Sequence, residues 1–253
     1  VMVRFSPRSS MTSPIVANAA KARYFFQASG CPQIRCTSQS TFHATDNVGL
    51  QALTAASGME PDQIRAYHIG YVIGPCINAT GRLDTAKRAL ELLTETDTMR
   101  AQQIAQELVS LNEERKQLTT EGVEEAVRIV EEQELWKKPV LVVYLPQTHE
   151  SLAGIIAGRL RERYYRPTYV LTDGEGCVKG SGRSIPAYHM YEHLSRVGDL
   201  LIKFGGHAMA AGLSLERAQV ELFAGLLCEQ AMLSPEDLTE TIRIDVPMPL
   251  SYI

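Results

Sequence analysis

The stretch that decides the fold is Val140–Leu160, "VLVVYLPQTHESLAGIIAGRL". It begins with a continuous apolar run, Val140–Leu145, rich in β-branched side chains, the pattern of a strand buried on both faces. Pro146–Glu150 interrupts the run as a loop. Ser151–Arg163 then has the composition of a helix, with Ala153, Gly154, Ala157 and Gly158 small enough to let it pack closely on a sheet. A buried strand leading into such a helix opens an α/β unit. Downstream, Tyr169–Thr172 reads as a second strand, "DGEG" (173–176) as a hairpin turn and Cys177–Gly180 as the return strand. Tyr188–Arg196 reads as a helix, Leu200–Phe204 and Ala211–Leu215 as strands, and Ala218–Ala231 as a last helix. "TIRIDVPMPLSYI" (241–253) alternates Ile242, Ile244 and Val246, a strand expected to find its partners outside this chain.

Upstream of the α/β unit, Ile104, Leu108, Leu111, Leu118, Val123, Val127 and Val130 recur mostly three or four residues apart. The intervening faces carry "NEERK" and "EEQE". This spacing predicts one long amphipathic helix over Thr98–Gln133, kinked at Gly122 and serving as a solvated spacer, ended by Trp136–Pro139. Before it, Leu50, Leu53 and Ala56 have helical spacing and Gly58 a stop. A short helix is expected to end near Gly74-Pro75, followed by a turn carrying Asn78, Gly81 and Arg82 and a helix over Asp84–Leu93. Residues 1–43 keep no sustained period and read as weakly ordered, with a short helix at Ala17–Phe26.

Composition narrows the classes. The 253 residues carry a net charge of −4, with 45% hydrophobic and 21% charged residues, so the chain is globular and not a bulk basic nucleic-acid binder. A polyanion site has to be a local cluster of Arg and Lys. No apolar run reaches the roughly 18 residues of a membrane span. The five cysteines are scattered without a C-x-x-C pair, which disfavours structural zinc and fits reduced thiols in a cytoplasm. The N-terminus has no apolar core of a secretory signal.

Three stretches are too unusual for plain scaffold. "GPCINATGR" (74–82) sets an amide and an arginine before a helix start, which suits an anion; a helix cap with a surface arginine gives the same letters. "THESLAGIIAG" (148–158) puts His149 and Glu150 at a strand-to-helix junction, where α/β folds hold ligands, unless Thr148 or Ser151 simply caps the helix. "KGSGRSI" (179–185) offers glycine backbone between a lysine, an arginine and two hydroxyls, as a phosphate site needs; the plain alternative is a glycine-bearing edge strand. With "KFGGHAMAAGLSL" (203–215), all supply donors and positive charge with little bulk, which suits a phosphodiester or terminal phosphate. A metal cluster is missing. His189 and His193 have i, i+4 spacing, but no H-E-x-x-H order or D-x-D accompanies them, and exposed helix histidines are the default.

Taken in order, "HIGYVIGPCINATGRLDTAKRALELL" (68–93), "HESLAGIIAGRLRERYYRPTYVLTDGEGCVKGSGRSI" (149–185) and "LLIKFGGHAMAAGLSLE" (200–216) resemble the RecJ family of single-stranded-DNA-specific exonucleases, in the DHH/DHHA1 phosphoesterase superfamily. The resemblance runs from about Thr45 to the C-terminus. It implies an α/β fold: a long linking helix, a DHHA1-type domain with a mixed sheet, and the start of an OB-fold strand. In domains, it implies the end of a DHH domain and linker over 44–97, a connecting helix over 98–137, the DHHA1 domain over 138–233 and the OB-fold start over 238–253. The implied reaction is 5′-to-3′ hydrolysis of single-stranded DNA with Mn²⁺ or Mg²⁺, in DNA repair and recombination, with a helicase or single-strand-binding protein as further partners. By the same resemblance, Asn78 and Arg82 line the cleft, Arg183 with Ser181, Gly182 and Ser184 holds a DNA phosphate, His149 sits at the neighbouring loop, and Gly205, Gly206 and His207 face the metal site. The family's metal-binding aspartates and DHH triplet precede this region and are absent, so the chain is expected to be a fragment that holds substrate, contributes no catalytic or metal residue and is inactive alone. Two other readings stand beside it. One is another DHH/DHHA1 phosphoesterase, acting on oligonucleotides or cyclic dinucleotides. The other is a non-catalytic single-stranded nucleic-acid-binding module.

Overall fold

The computed structural model describes residues 45–241. The helix expected at Ala17–Phe26 and the strand expected after Thr241 lie outside the described residues.

The first part is helical. Helix α1 (Val48–Ala56) starts at Asn47, whose Oδ1 accepts the Leu50 N–H at 2.8 Å. The same side chain donates from Nδ2 to Leu93 O at 2.8 Å, so a single amide both caps α1 and ties it to a later helix. Helical backbone next covers Ala66–His68, a π-helical stretch Ile69–Ile73 and α2 (Gly74–Leu83). This corrects the expected turn at Asn78 and Arg82: both lie within α2. Pro75 falls where the π-helical stretch passes into α2, so the hydrogen bond its missing N–H forgoes coincides with a widened turn in continuous helical backbone. Helix α3 (Ala86–Thr94) follows, then α4 (Thr98–Glu132), capped by Asp97 Oδ1 accepting from Arg100 N at 2.7 Å.

Helix α4 has 35 residues, a rod of about 50 Å. It is more than the solvated spacer expected. Its N-terminal half puts Ala101, Ile104, Ala105 and Leu108 into a core with Leu53, Ile73 and Leu92. Its C-terminal half puts Ala126 and Val130 into a second core with Leu141, Val143, Ile156 and Val170. The helix passes Gly122 unbroken. A Cβ there would sit 2.6 Å from Ile156 Cδ1, so this glycine lets two helices meet.

The remainder is β1 (Leu141–Tyr144), α5 (Ala153–Tyr164), β2 (Thr168–Asp173), β3 (Val178–Arg183), α6 (Met190–Arg196), β4 (Leu201–Gly206), β5 (Ala210–Leu215) and α7 (Val220–Gln230). The five strands form one sheet in the order β1-β2-β3-β5-β4. β1 and β2 are parallel, joined across α5, and the other pairs are antiparallel, which makes the sheet mixed. Strand β3 runs to Arg183 and lies in the centre, so "KGSGR" is not an edge. Helices α4 and α5 cover one face. Helices α6 and α7 cover the other, over a core of Tyr169, Leu171, Tyr188, Leu213 and Phe223. Alternation along β3 turns Gly180 and Gly182 toward this second core, where a Cβ would strike Leu171 or Met190. Among the described residues, no helix is long and apolar enough to cross a membrane.

Phe223 is fully buried and meets Tyr169 edge-to-face at 5.6 Å. Phe223→Ala is expected to destabilise the sheet unit by about 3–5 kcal/mol, measured by denaturant unfolding.

Candidate nucleic-acid interface

Arg183 ends the central strand on the α5 side of the sheet. Its guanidinium rests on Gly154 of α5, where a Cβ would lie 2.8 Å from Nη2, and its Nη1 donates to Gly182 O at 2.8 Å. A small residue in "LAGIIAG" is therefore what admits the arginine. From the last turn of α2, Arg82 donates Nη1 to Ser151 O at 2.8 Å, just before α5, which brings a second guanidinium to the same place. The third comes from α4. Arg115 donates from Nε to the buried Asn112 at 3.2 Å. Burial, and then the positive charge of Arg82, hold the Arg115 and Arg183 guanidiniums below the usual arginine range. Among the described residues, no carboxylate lies within ion-pair distance of Arg82, Arg115 or Arg183. Three partly buried like charges without a counter-ion favour an anion among them.

Sequence reasoning missed Arg115. The signal was its place on the buried seam of α4, between Leu111 and Leu118, where a charge interrupts the apolar period.

The other expected residues divide. Asn78 is exposed one helical turn before Arg82, on the same side of α2. His149 is itself the cap of the β1–α5 junction, a role expected of Thr148 or Ser151: its Nδ1 accepts from Ser151 N at 3.3 Å and lies 2.7 Å from Ser151 Oγ. Ser184 is not brought to the surface. It is buried, and its hydroxyl donates to Tyr188 O at 2.5 Å. Gly182 is likewise committed to packing, against Met190 and Tyr169.

Beyond α5 the sheet is bare. Register aligns Ser181 with Gly212 and Gly212 with Gly205, a row across three strands. This row lies in a groove of about 450 Å³ flanked by Lys179, which pairs with Glu150 at 2.5 Å, and by Lys203. A Cβ on Gly205 would meet nothing within 4 Å, and one on Gly212 would reach Gly180 O at 3.9 Å. Gly206 differs. It has φ +155°, and a Cβ would fall 2.4 Å from Ala210 O. It is the glycine that closes the β4–β5 hairpin; Gly205 and Gly212, by contrast, are bare without an internal reason. His207 follows at the turn, exposed, with Nδ1 accepting from Met209 N at 3.2 Å; in its neutral form Nε2 is then an outward N–H donor. Arg183 pairs with Ala210 on the neighbouring strand, which places the turn and the arginine at one end of the sheet.

His189 and His193 do not converge on a metal. His189 caps α6 by accepting from Glu192 N, and His193 stacks on Tyr188 with ring centroids 3.9 Å apart. Among the described residues, no group of three or more His, Cys, Asp or Glu is placed to hold a metal ion. This donor set does not fit the divalent ions that the family resemblance implies.

Comparison with known proteins agrees with this architecture. Residues 137–231 match the DHHA1 domain family. The chain thus carries a DHHA1 domain, attached to a long helix and a helical unit. Its particular likeness is to RecJ. It is 40% identical over 183 residues to the single-stranded-DNA-specific exonuclease RecJ of Salmonella typhimurium, over 69% of this chain and 32% of that protein. A crystal structure of exonuclease RecJ bound to manganese superposes with a TM-score of 0.71 at 30% identity, covering 80% of this chain and 50% of that one. RecJ of Thermus thermophilus in complex with Mg²⁺ gives a TM-score of 0.66 at 29% identity, covering 76% and 29%. The chain is thus similar to RecJ proteins through its helical unit, long helix and DHHA1 region, and it spans about a third of the length of the curated relative it matches.

Two outcomes follow from this geometry. Gly206→Ala is expected to cost about 2–4 kcal/mol, while Gly205→Ala stays within about 0.5 kcal/mol of the parent, compared by chemical denaturation. Burial, with the charge of Arg196 nearby, depresses the His193 pKa against the opposing pull of Glu192, and its buried Nδ1 has no hydrogen-bond partner among the described residues. The folded state therefore binds fewer protons than the unfolded one, and His193 contributes stability that is present above 6.5 and lost as pH falls through its lower folded pKa. His193→Phe should flatten the acid limb of the stability–pH curve below pH 6.5, read from melting temperatures.

Proposed function

We propose that this chain is the substrate-holding part of a 5′-to-3′ single-stranded-DNA exonuclease of the RecJ type. The observation that carries this reading is the uncompensated cluster of Arg82, Arg115 and Arg183 beside a glycine-floored strip of sheet. In this reading 44–97 is the end of a DHH domain and its linker, 98–137 the connecting helix, and 138–233 the DHHA1 domain. A strand phosphate sits against Arg183 and Arg82, with the Ser181 hydroxyl and the His207 Nε2–H as further donors and Asn78 on the cleft wall. Guanidiniums suit this task because each presents a planar fork of N–H groups to phosphate oxygens. The neighbouring sugar and base lie over Gly205 and Gly212, where no side chain stands in the way.

The chemistry of bond cleavage is assigned to no residue here. Mn²⁺ or Mg²⁺ would belong to a partner domain of the RecJ type, and the chain alone is expected to bind without turnover. The reading brings with it the family's setting: the cytoplasm, DNA repair and recombination, and a helicase or single-strand-binding protein as further partners.

The experiment is a metal-free titration of the chain with 5′-phosphorylated and 5′-hydroxyl oligonucleotides. The phosphorylated strand should bind more tightly, and Arg183→Ala should remove about 1.5–3 kcal/mol, roughly 10- to 100-fold, with Arg183→Lys restoring part of it. Equal affinity for both strands, unchanged by Arg183→Ala, refutes the phosphate clamp.

A further inference from the structure

A second groove, of about 520 Å³, lies between α4 and α5. Arg115 and Lys116 line it from α4, Arg159 lines it from α5, and Val123 and Ile155 supply an apolar floor. One acidic residue, Glu124, faces the three cations. Two of these cations have exposed partners on their own helices: Lys116 pairs with Glu113 at 2.7 Å and Arg159 with Glu162 at 3.5 Å. Exposed pairs of this kind hold only weakly, so both cations remain free to exchange a carboxylate for a phosphate. Arg115 has no acid within ion-pair distance among the described residues, though the charge of Glu113 is felt there, and it is shared: it lines this groove and also belongs to the cluster with Arg82 and Arg183. In a chain of net charge −4, the cluster and the groove are linked through this one arginine.

We infer that the α4–α5 groove is a second nucleic-acid subsite, taking the sugar–phosphate backbone of a single strand as it continues from the Arg183 site past Arg115. This rests on the proposed substrate-holding role. Continuity through Arg115 favours a nucleic acid over an acidic peptide, which would need no link to a phosphate site. The linking helix then takes part in binding along its middle, in addition to spanning the distance between two cores. Contacts here are to backbone phosphates, so they add affinity and salt dependence without base preference.

The test uses the full chain, without metal, and two 5′-phosphorylated oligonucleotides of about four and about twelve nucleotides, within the span of single-strand site sizes. Binding is followed by fluorescence anisotropy over a series of salt concentrations. The double variant Lys116→Ala/Arg159→Ala should weaken the longer strand on the order of three- to tenfold and lower its salt slope by about 1.4, or 0.7 for each lost phosphate contact. The short strand should be unaffected. Arg183→Ala should weaken both. An unchanged affinity and slope for the longer strand in the double variant overturns the inference, as does an equal loss for both lengths. If Arg183→Ala leaves both strands unchanged while the double variant still weakens the longer one, the phosphate clamp fails and the groove stands.

Discussion

Everything in this molecule hangs on one helix being common to two cores. Residues Ala101 to Leu108 of α4 belong to the helical unit, and Ala126 and Val130 belong to the sheet unit. A rod of hydrogen-bonded turns resists bending over this distance, so packing at its ends sets where α2 stands relative to α5. That placement lets Arg82 reach Ser151 O, and with it the Arg183 that rests on Gly154. The middle of α4, which belongs to neither core, is where a charged residue can occupy the seam. Arg115 does so, tethered to the buried Asn112.

The sheet contributes by what it leaves out. Its glycines do three different jobs. Gly180 and Gly182 make room for Leu171, Leu213 and Met190 on the α6–α7 side, Gly206 adopts a backbone that other residues avoid, and Gly205 and Gly212 leave a strip of backbone uncovered. Glycine inside a strand forfeits packing and adds chain entropy to be lost. The first two groups offset that cost by close internal contacts. The last pair has no such compensation within the described residues, and the substrate path proposed above is the use its bare surface would have.

Much of the α/β unit was legible in the sequence because its periods are clean. Val140–Leu145, the small-residue helix after it and the "DGEG" hairpin announce themselves by strand and turn chemistry. Gly74-Pro75 misled, because the pair reads as a breaker; here a π-helical turn precedes the proline and lets the helical backbone continue, which letters alone do not reveal. Within the candidate site, Arg82 and Arg183 were visible as arginines in unusual company. Arg115 was hidden in a charged run, since exposure of its neighbours Glu113, Glu114 and Lys116 disguises a residue facing inward. Ser184 differs in the other direction. A hydroxyl beside an arginine looks like a ligand until the strand's alternation buries it against Tyr188.

The junction between the two halves has a mechanical side. Arg82 and Arg115 stand on the helical half or on the shared rod, and Arg183 on the sheet, so their mutual repulsion acts across a joint that the Arg82–Ser151 hydrogen bond ties together. An anion seated among them reverses the sign of that force. The joint and the proposed grip are therefore built from the same side chains, so a change of charge at any one of the three bears on how the two halves are held together as well as on what sits between them.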